Sequence, residues 1–145
     1  MDPAKNGVLA MAQNMPPAGL IGAGTDIIEI DRIKQAIERG GDSFLKRVFN
    51  PGERDFCEAR GNRFPCYAAR FAAKEAVLKA LGTGLIGCSF RDVEVQRKGS
   101  GRPEIKLHGG AAKAAAEKGI TLILISLSHN RENAVAFAIA AGREV

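Results

Sequence analysis

The 145-residue chain has no tryptophan, one tyrosine, two histidines and three cysteines. So few aromatic rings count against a single-strand nucleic-acid platform, which stacks bases on such rings. Cys57, Cys66 and Cys88 are odd in number and widely spaced, with no C-x-x-C pair, which argues against both a disulfide framework and a zinc site. A reducing cytoplasm is the compartment that fits this usage. No apolar run is long enough to cross a bilayer, and residues 8–11 are too short for the core of a signal peptide. Residues 1–18 carry Lys5, Gly7, Pro16 and Pro17 among alanine and methionine. They are expected to form a flexible leader or an expression remnant outside the fold.

What remains, residues 19–145, has the composition of one globular domain, with 46% hydrophobic and 26% charged residues over the whole chain. A chain this long buries roughly two-thirds of its unfolded surface and needs no staple. The net charge of +5 fits an acidic or phosphate-bearing partner as readily as mere solubility. A basic nucleic-acid module is a competing class, but the positive residues are scattered and no aromatic motif joins them.

Residues 20–30 are apolar and β-branched and read as a strand interrupted by two glycines. Asp31 is placed to cap a helix whose inner face holds Ile33, Ala36 and Ile37, with Gly40 and Gly41 as its stop. A short helical piece follows over 43–48. Asn50-Pro51-Gly52-Glu53 has capping-box spacing with proline at the first helical position. A longer helix is expected over 65–81, ended by Gly82-Thr83-Gly84. Residues 92–97 alternate, as do Ile105 and Leu107, across a Gly99-Ser100-Gly101 turn, which predicts a hairpin. An alanine-rich helix (111–118), a buried-type strand (120–128), a turn and a last strand (134–140) complete the pattern. The class is α+β, with a largely antiparallel sheet packed with helices.

Two acids stand out. Asp26 lies inside an otherwise apolar strand, where a carboxylate is costly unless paired or metal-bound. Alone it reads better as a salt-bridging charge on a half-exposed strand than as a functional carboxylate. Glu75 shares a helical row with Phe71 and Leu78, beside a cationic row of Arg70 and Lys74. Glu75 also precedes Lys79 by four residues, so a helical ion pair explains it as well. Taken together, one acid from a strand and one from a helix, with cations nearby, suit Mg²⁺ bridging a diphosphate. Ser126-Leu127-Ser128-His129 ends a strand, where its hydroxyls and imidazole could hold a phosphate or cap a hairpin. Gly22-Ala23-Gly24 lacks the third glycine of a dinucleotide loop, and Gly82-Thr83-Gly84 lacks the Gly-Lys-Ser/Thr of a P-loop.

Residues 24–30, GTDIIEI, and 70–76, RFAAKEA, resemble the two signature motifs of bacterial holo-[acyl-carrier-protein] synthase. Residues 79–84, 101–103 and 126–129 follow in that family's order, so the likeness covers about 21–141. The resemblance implies a 4′-phosphopantetheinyl transferase fold and transfer of phosphopantetheine from coenzyme A to a serine of an acyl carrier protein. It implies Asp26 and Glu75 as Mg²⁺ ligands, with Glu75 or a metal-activated water as the base. Arg70, Lys74 and Lys79 would lie near the coenzyme's phosphates, with Lys79 or Lys74 stabilising the departing one. Ser128 and His129 would meet its nucleotide end. Asp26, Gly82, Arg102 and Pro103 join the coenzyme site by the same likeness, and Arg32 would meet the carrier protein. It further implies a homotrimer with active sites at subunit interfaces, the first motif coming from one protomer and the second from its neighbour. A catalytically silent trimer with this fold is a third reading, disfavoured by Asp26, Glu75, Lys79 and His129 standing together. Arg102 stands where a lysine is commoner in that family, which keeps charge but changes geometry.

Overall fold

The computed structural model describes residues 19–97 and 101–143, so the expected leader and the Gly99-Ser100 part of the hairpin turn lie outside the described residues. The first strand, β1 (Gly19–Glu29), runs directly into helix α1 (Ile30–Val48). Asp31 does not cap this helix. Glu29 occupies that position without a side-chain cap, and the Ile30 amide donates instead to the Glu132 carbonyl at 2.8 Å. Asp31 sits in the first turn and accepts from Gln35 Nε2 at 2.8 Å. The paired glycines interrupt the helix as expected, and the piece beyond them is a second helical segment. Gly41 makes the break, with φ 55°, and the chain resumes helical form because Leu45 and Val48 still have an interior to enter. Helix α2 (Pro51–Glu58) begins with the expected capping box, the Glu53 carboxylate accepting from the Asn50 amide at 2.7 Å. Helix α3 (Phe64–Leu81) follows, and Gly82 closes it in the left-handed region at φ 76°.

After a 3₁₀ turn at Phe90–Asp92, β2 (Val93–Gln96) and β3 (Glu104–Leu107) form the expected hairpin. Helix α4 (Gly109–Glu117) leads to β4 (Ile120–His129) and β5 (Asn133–Gly142). The main sheet is antiparallel with order β1-β5-β4, so the first and last strands of the described fold pair with each other. Register assigns the faces. Gly24 and Ile125 both oppose Ala138, and Asp26 and Leu127 both oppose Ala136. Ala134, Ala136, Ala138 and Ala140 are buried under α3, while Val135 and Phe137 of the same strand point outward and are exposed.

At the junction of α2, α3 and β2, Lys74 is fully buried. Its Nζ pairs with Glu53 Oε1 at 2.8 Å and donates to Asn50 Oδ1 (3.1 Å), the Phe90 carbonyl (3.0 Å) and the Val93 carbonyl (2.5 Å). Glu53 Oε2 in turn accepts from the Val95 amide at 2.7 Å. One ion pair thus ties two helices to a strand. Beside it, Cys57 and Cys66 form a disulfide with Cα atoms 5.5 Å apart, and Cys88 is free. This corrects the expectation from spacing. The tight turn between α2 and α3 folds the end of one helix onto the start of the next, which residue counting cannot report.

Glu53→Gln should cost about 3–5 kcal/mol in urea unfolding, because it strands a buried ammonium without its counter-charge. Glu53→Gln combined with Lys74→Met should cost less than the two single losses added together. A loss below about 1 kcal/mol for Glu53→Gln, the range of an exposed pair, would remove the ion pair from its central place.

Candidate functional site

Gly22, Gly24 and Asp26 alternate along β1 on the face that meets α3. A Cβ at Gly22 would lie 2.0 Å from the Ala80 carbonyl oxygen, and one at Gly24 would lie 2.0 Å from that of Ala76. The two glycines therefore let the helix backbone rest against the strand backbone. They explain Gly22-Ala23-Gly24 without any nucleotide. One step further along the same face, Asp26 meets the helix at the level of Glu75 and Lys79.

Lys79 Nζ donates to the Thr25 carbonyl at 2.9 Å and to Asp26 Oδ1 at 3.3 Å. The helical ion pair with Glu75 is not the one made; Lys79 reaches across to the strand instead. Glu75 is half-buried. Burial pushes its carboxyl up from the ordinary range and the negative charge of Asp26 pushes it further, while Lys79 pulls it down. The two acids sense each other within one chain. Both signature motifs thus contribute an acid to the same pair within a single chain. Two hard carboxylates, half-open to solvent and mutually repelling, are a donor set that Mg²⁺ accepts, leaving positions for water and phosphate oxygens. Among the described residues no cluster of three or more histidine, cysteine or acidic side chains forms.

A second feature lies at the opposite edge of the sheet. A cavity of about 490 Å³ is lined by Arg60, Arg70 and Arg97 with Asn62, Ser128 and His129, and among the described residues no carboxylate borders it. Arg70 is 4% exposed, and its guanidinium stacks 4.2 Å from the Phe56 ring centroid. Its Nη1 donates to Cys66 Sγ at 3.2 Å, and its buried Nε has no partner among the described residues. Burial lowers the guanidinium to about 10, countered by Glu53 and reinforced by Arg97 and Arg60, so it stays charged at neutral pH. A buried cation with an unused donor suits an anion.

The remaining expected residues divide. Lys74 is consumed by its interior partners and does not reach a phosphate site, because its ammonium could leave Glu53 only at a large desolvation cost. Gly82 ends α3 one turn beyond Lys79. Arg102, exposed, and Pro103, half-buried, lead into β3 and are not among the residues lining the basic cavity. Arg32 is exposed on α1, off the face that buries Ile33 and Ile37. Sequence reading missed Arg60, Asn62 and Arg97, which lie in connecting segments or a helix end and carry no periodic signal.

The family model described as the 4′-phosphopantetheinyl transferase superfamily matches residues 22–138. The chain is 54% identical over 123 residues to a holo-[acyl-carrier-protein] synthase of Desulforudis audaxviator, covering 85% of this chain and 94% of the relative. Among solved structures, holo-[acyl-carrier-protein] synthase from Neisseria meningitidis superposes with TM-score 0.77 at 34% identity, covering 83% of this chain and 98% of that one. A holo-(acyl-carrier-protein) synthase from Bacillus anthracis, solved in complex with CoA (3′,5′-ADP), superposes with TM-score 0.71 at 31% identity, covering 86% and 99%.

In Mg²⁺-free buffer, carboxyl-detected NMR should find the Glu75 midpoint above that of an unperturbed glutamate. Asp26→Asn should lower it by removing the like charge, and Lys79→Ala should raise it. A midpoint indifferent to Asp26→Asn would separate the two acids.

Proposed function

The chain belongs to the 4′-phosphopantetheinyl transferase superfamily and, within it, to the holo-[acyl-carrier-protein] synthases, and we propose for it a Mg²⁺-dependent reaction with coenzyme A. In this reading it transfers 4′-phosphopantetheine to a serine of an apo acyl carrier protein, in the cytoplasm and in support of fatty acid biosynthesis. The single observation that carries the reading is the convergence of Asp26 and Glu75 beside Lys79.

Asp26 and Glu75 would hold Mg²⁺, which when bound supplies a Lewis acid for the diphosphate oxygens. The carrier serine attacks the β-phosphorus, the bond to the bridging oxygen breaks, and adenosine 3′,5′-bisphosphate leaves. Lys79, more than half exposed, is free to turn from Asp26 and donate to the departing phosphate. Glu75, kept basic by burial and by Asp26, is suited to take the serine proton, with a metal-activated water as the other base. Arg70, Ser128 and His129 face the cavity that would receive the coenzyme's nucleotide phosphates. Gly82, Arg102 and Pro103 belong to this proposal by the family likeness alone, as does Arg32 as a contact for the acidic carrier protein.

A homotrimer with interface sites has two supports. The acid pair lies on the β1 edge and the basic cavity at the β4 edge, so a homotrimer would bring the cavity of one protomer toward the acid pair of its neighbour. The outward face of the sheet also presents Ile27, Leu122, Leu124, Val135 and Phe137 as a contiguous exposed apolar surface, the signature of an assembly face.

With coenzyme A and an apo carrier protein, intact-protein mass spectrometry should record a phosphopantetheine gain that requires Mg²⁺. Asp26→Ala and Glu75→Ala should each slow it by at least roughly a hundredfold. Full activity of either variant at saturating Mg²⁺ would end the assignment. Arg32→Glu should raise KM for the carrier protein about tenfold with little change for coenzyme A; equal damage to both would take Arg32 off that surface. Sedimentation should show trimers, and Phe137→Asp should yield monomers; a wild-type monomer would dissolve the interface argument.

A further inference from the structure

The disulfide has no part in the reaction outlined above, yet it sits at the wall of the basic cavity. It joins Cys57 in the last turn of α2 to Cys66 in the first turn of α3, a separation of nine residues. The segment it closes carries Arg60, Asn62 and Pro65 to the cavity, and Cys66 itself lines that space. The Phe56 ring is sandwiched between the Arg60 and Arg70 guanidiniums, each 4.2 Å from its centroid. Within the segment, the tie from Arg63 to Glu58 is a partly exposed ion pair at 3.0 Å, which contributes little in water. The Tyr67 hydroxyl bonds Glu58 at 2.5 Å, but this joins helix to helix and leaves the intervening residues free.

We propose that Cys57–Cys66 is a thiol–disulfide exchange site whose oxidation state sets the affinity of this cavity for a phosphorylated nucleotide. The proposal rests on the reading of the cavity as the coenzyme's phosphate site. The reactant is a dithiol. Cys57 is fully buried, so the incoming thiolate attacks Cys66 Sγ, breaking the Cys57–Cys66 bond and releasing the Cys57 thiolate, which takes a proton. The second thiol of the reductant attacks the mixed disulfide, releases Cys66 and leaves as its own cyclic disulfide. Two electrons and one proton pass to the protein, Cys66 staying a thiolate beside Arg70, while the second proton of the dithiol goes to solvent, and the reaction reverses with a disulfide oxidant.

The two states differ at Arg70. In the oxidised form its Nη1 faces a disulfide sulfur, a weak acceptor, and its Nε faces nothing, so the buried charge is available to a phosphate. In the reduced form Cys66 becomes a thiol beside a guanidinium, which favours the thiolate. That thiolate pairs with Arg70 and competes with the ligand. The segment carrying Arg60 is released at the same time. Both effects weaken binding on reduction.

Full-length protein oxidised with a disulfide and reduced with dithiothreitol gives the test. Thiol titration in denaturant should count one thiol, Cys88, in the oxidised protein and all three in the reduced. Calorimetric titration with adenosine 3′,5′-bisphosphate should give a dissociation constant roughly tenfold lower in the oxidised form. Cys88→Ser should keep the difference. Cys57→Ser and Cys66→Ser should each abolish it, and Cys57→Ser, which retains the competing thiolate, should bind more weakly than Cys66→Ser. Three free thiols after oxidation, equal affinities, or a difference surviving in Cys66→Ser would overturn the proposal. Loss of nucleotide binding in both forms would overturn it together with the cavity assignment. The mass-gain assay, which depends on Asp26 and Glu75, would report separately on the transferase reading.

Discussion

A helix can lie against a strand at backbone distance only where side chains are missing, and the seam between α3 and the sheet meets that condition on both sides. Gly22 and Gly24 supply it from β1, the alternate alanines of β5 continue it across the sheet, and Ala72, Ala73, Ala76 and Ala80 answer from the helix. Such contact gives each residue little apolar area, so its strength comes from dense dispersion contacts along the full length of the seam. The geometry of the acid pair inherits this rigidity. Asp26 and Glu75 repel, and a looser seam would let them part; here neither element can recede without opening a void through the core.

Charge inside the fold is sorted by whether its partners come from the chain. Lys74 and Glu53 satisfy each other and four backbone carbonyls or amides close by, which locks helices to strand and spends both groups. Arg70, one turn earlier on the same helix, is almost as deeply buried but left with an unused donor. The contrast separates an architectural cation from one available to a ligand, although the two look alike as neighbours in a row of basic residues.

That contrast also marks the limit of what the sequence made legible. Element type and order followed from alternation, capping and glycine punctuation, and the capping box at Asn50 appears as expected because it is local. Asp26 and Glu75 were legible as a pair because both are acids in apolar settings. The roles of Lys74, Cys57 and Cys66 depended on which distant residues meet them, and helical spacing carries no such information. The break at Gly41 was legible because it is local: paired glycines interrupt the helix where the sequence places them, and a second helical piece follows.

The pairing of β1 with β5 carries a consequence for how the molecule comes into being. These strands flank the whole described fold, with Gly19 opposite Gly142, so their registry has the longest loop to close. During synthesis the strand bearing Asp26 is made first and must wait for the last strand to emerge before it finds its neighbour. The acid pair is therefore assembled only after nearly the entire polypeptide has left the ribosome.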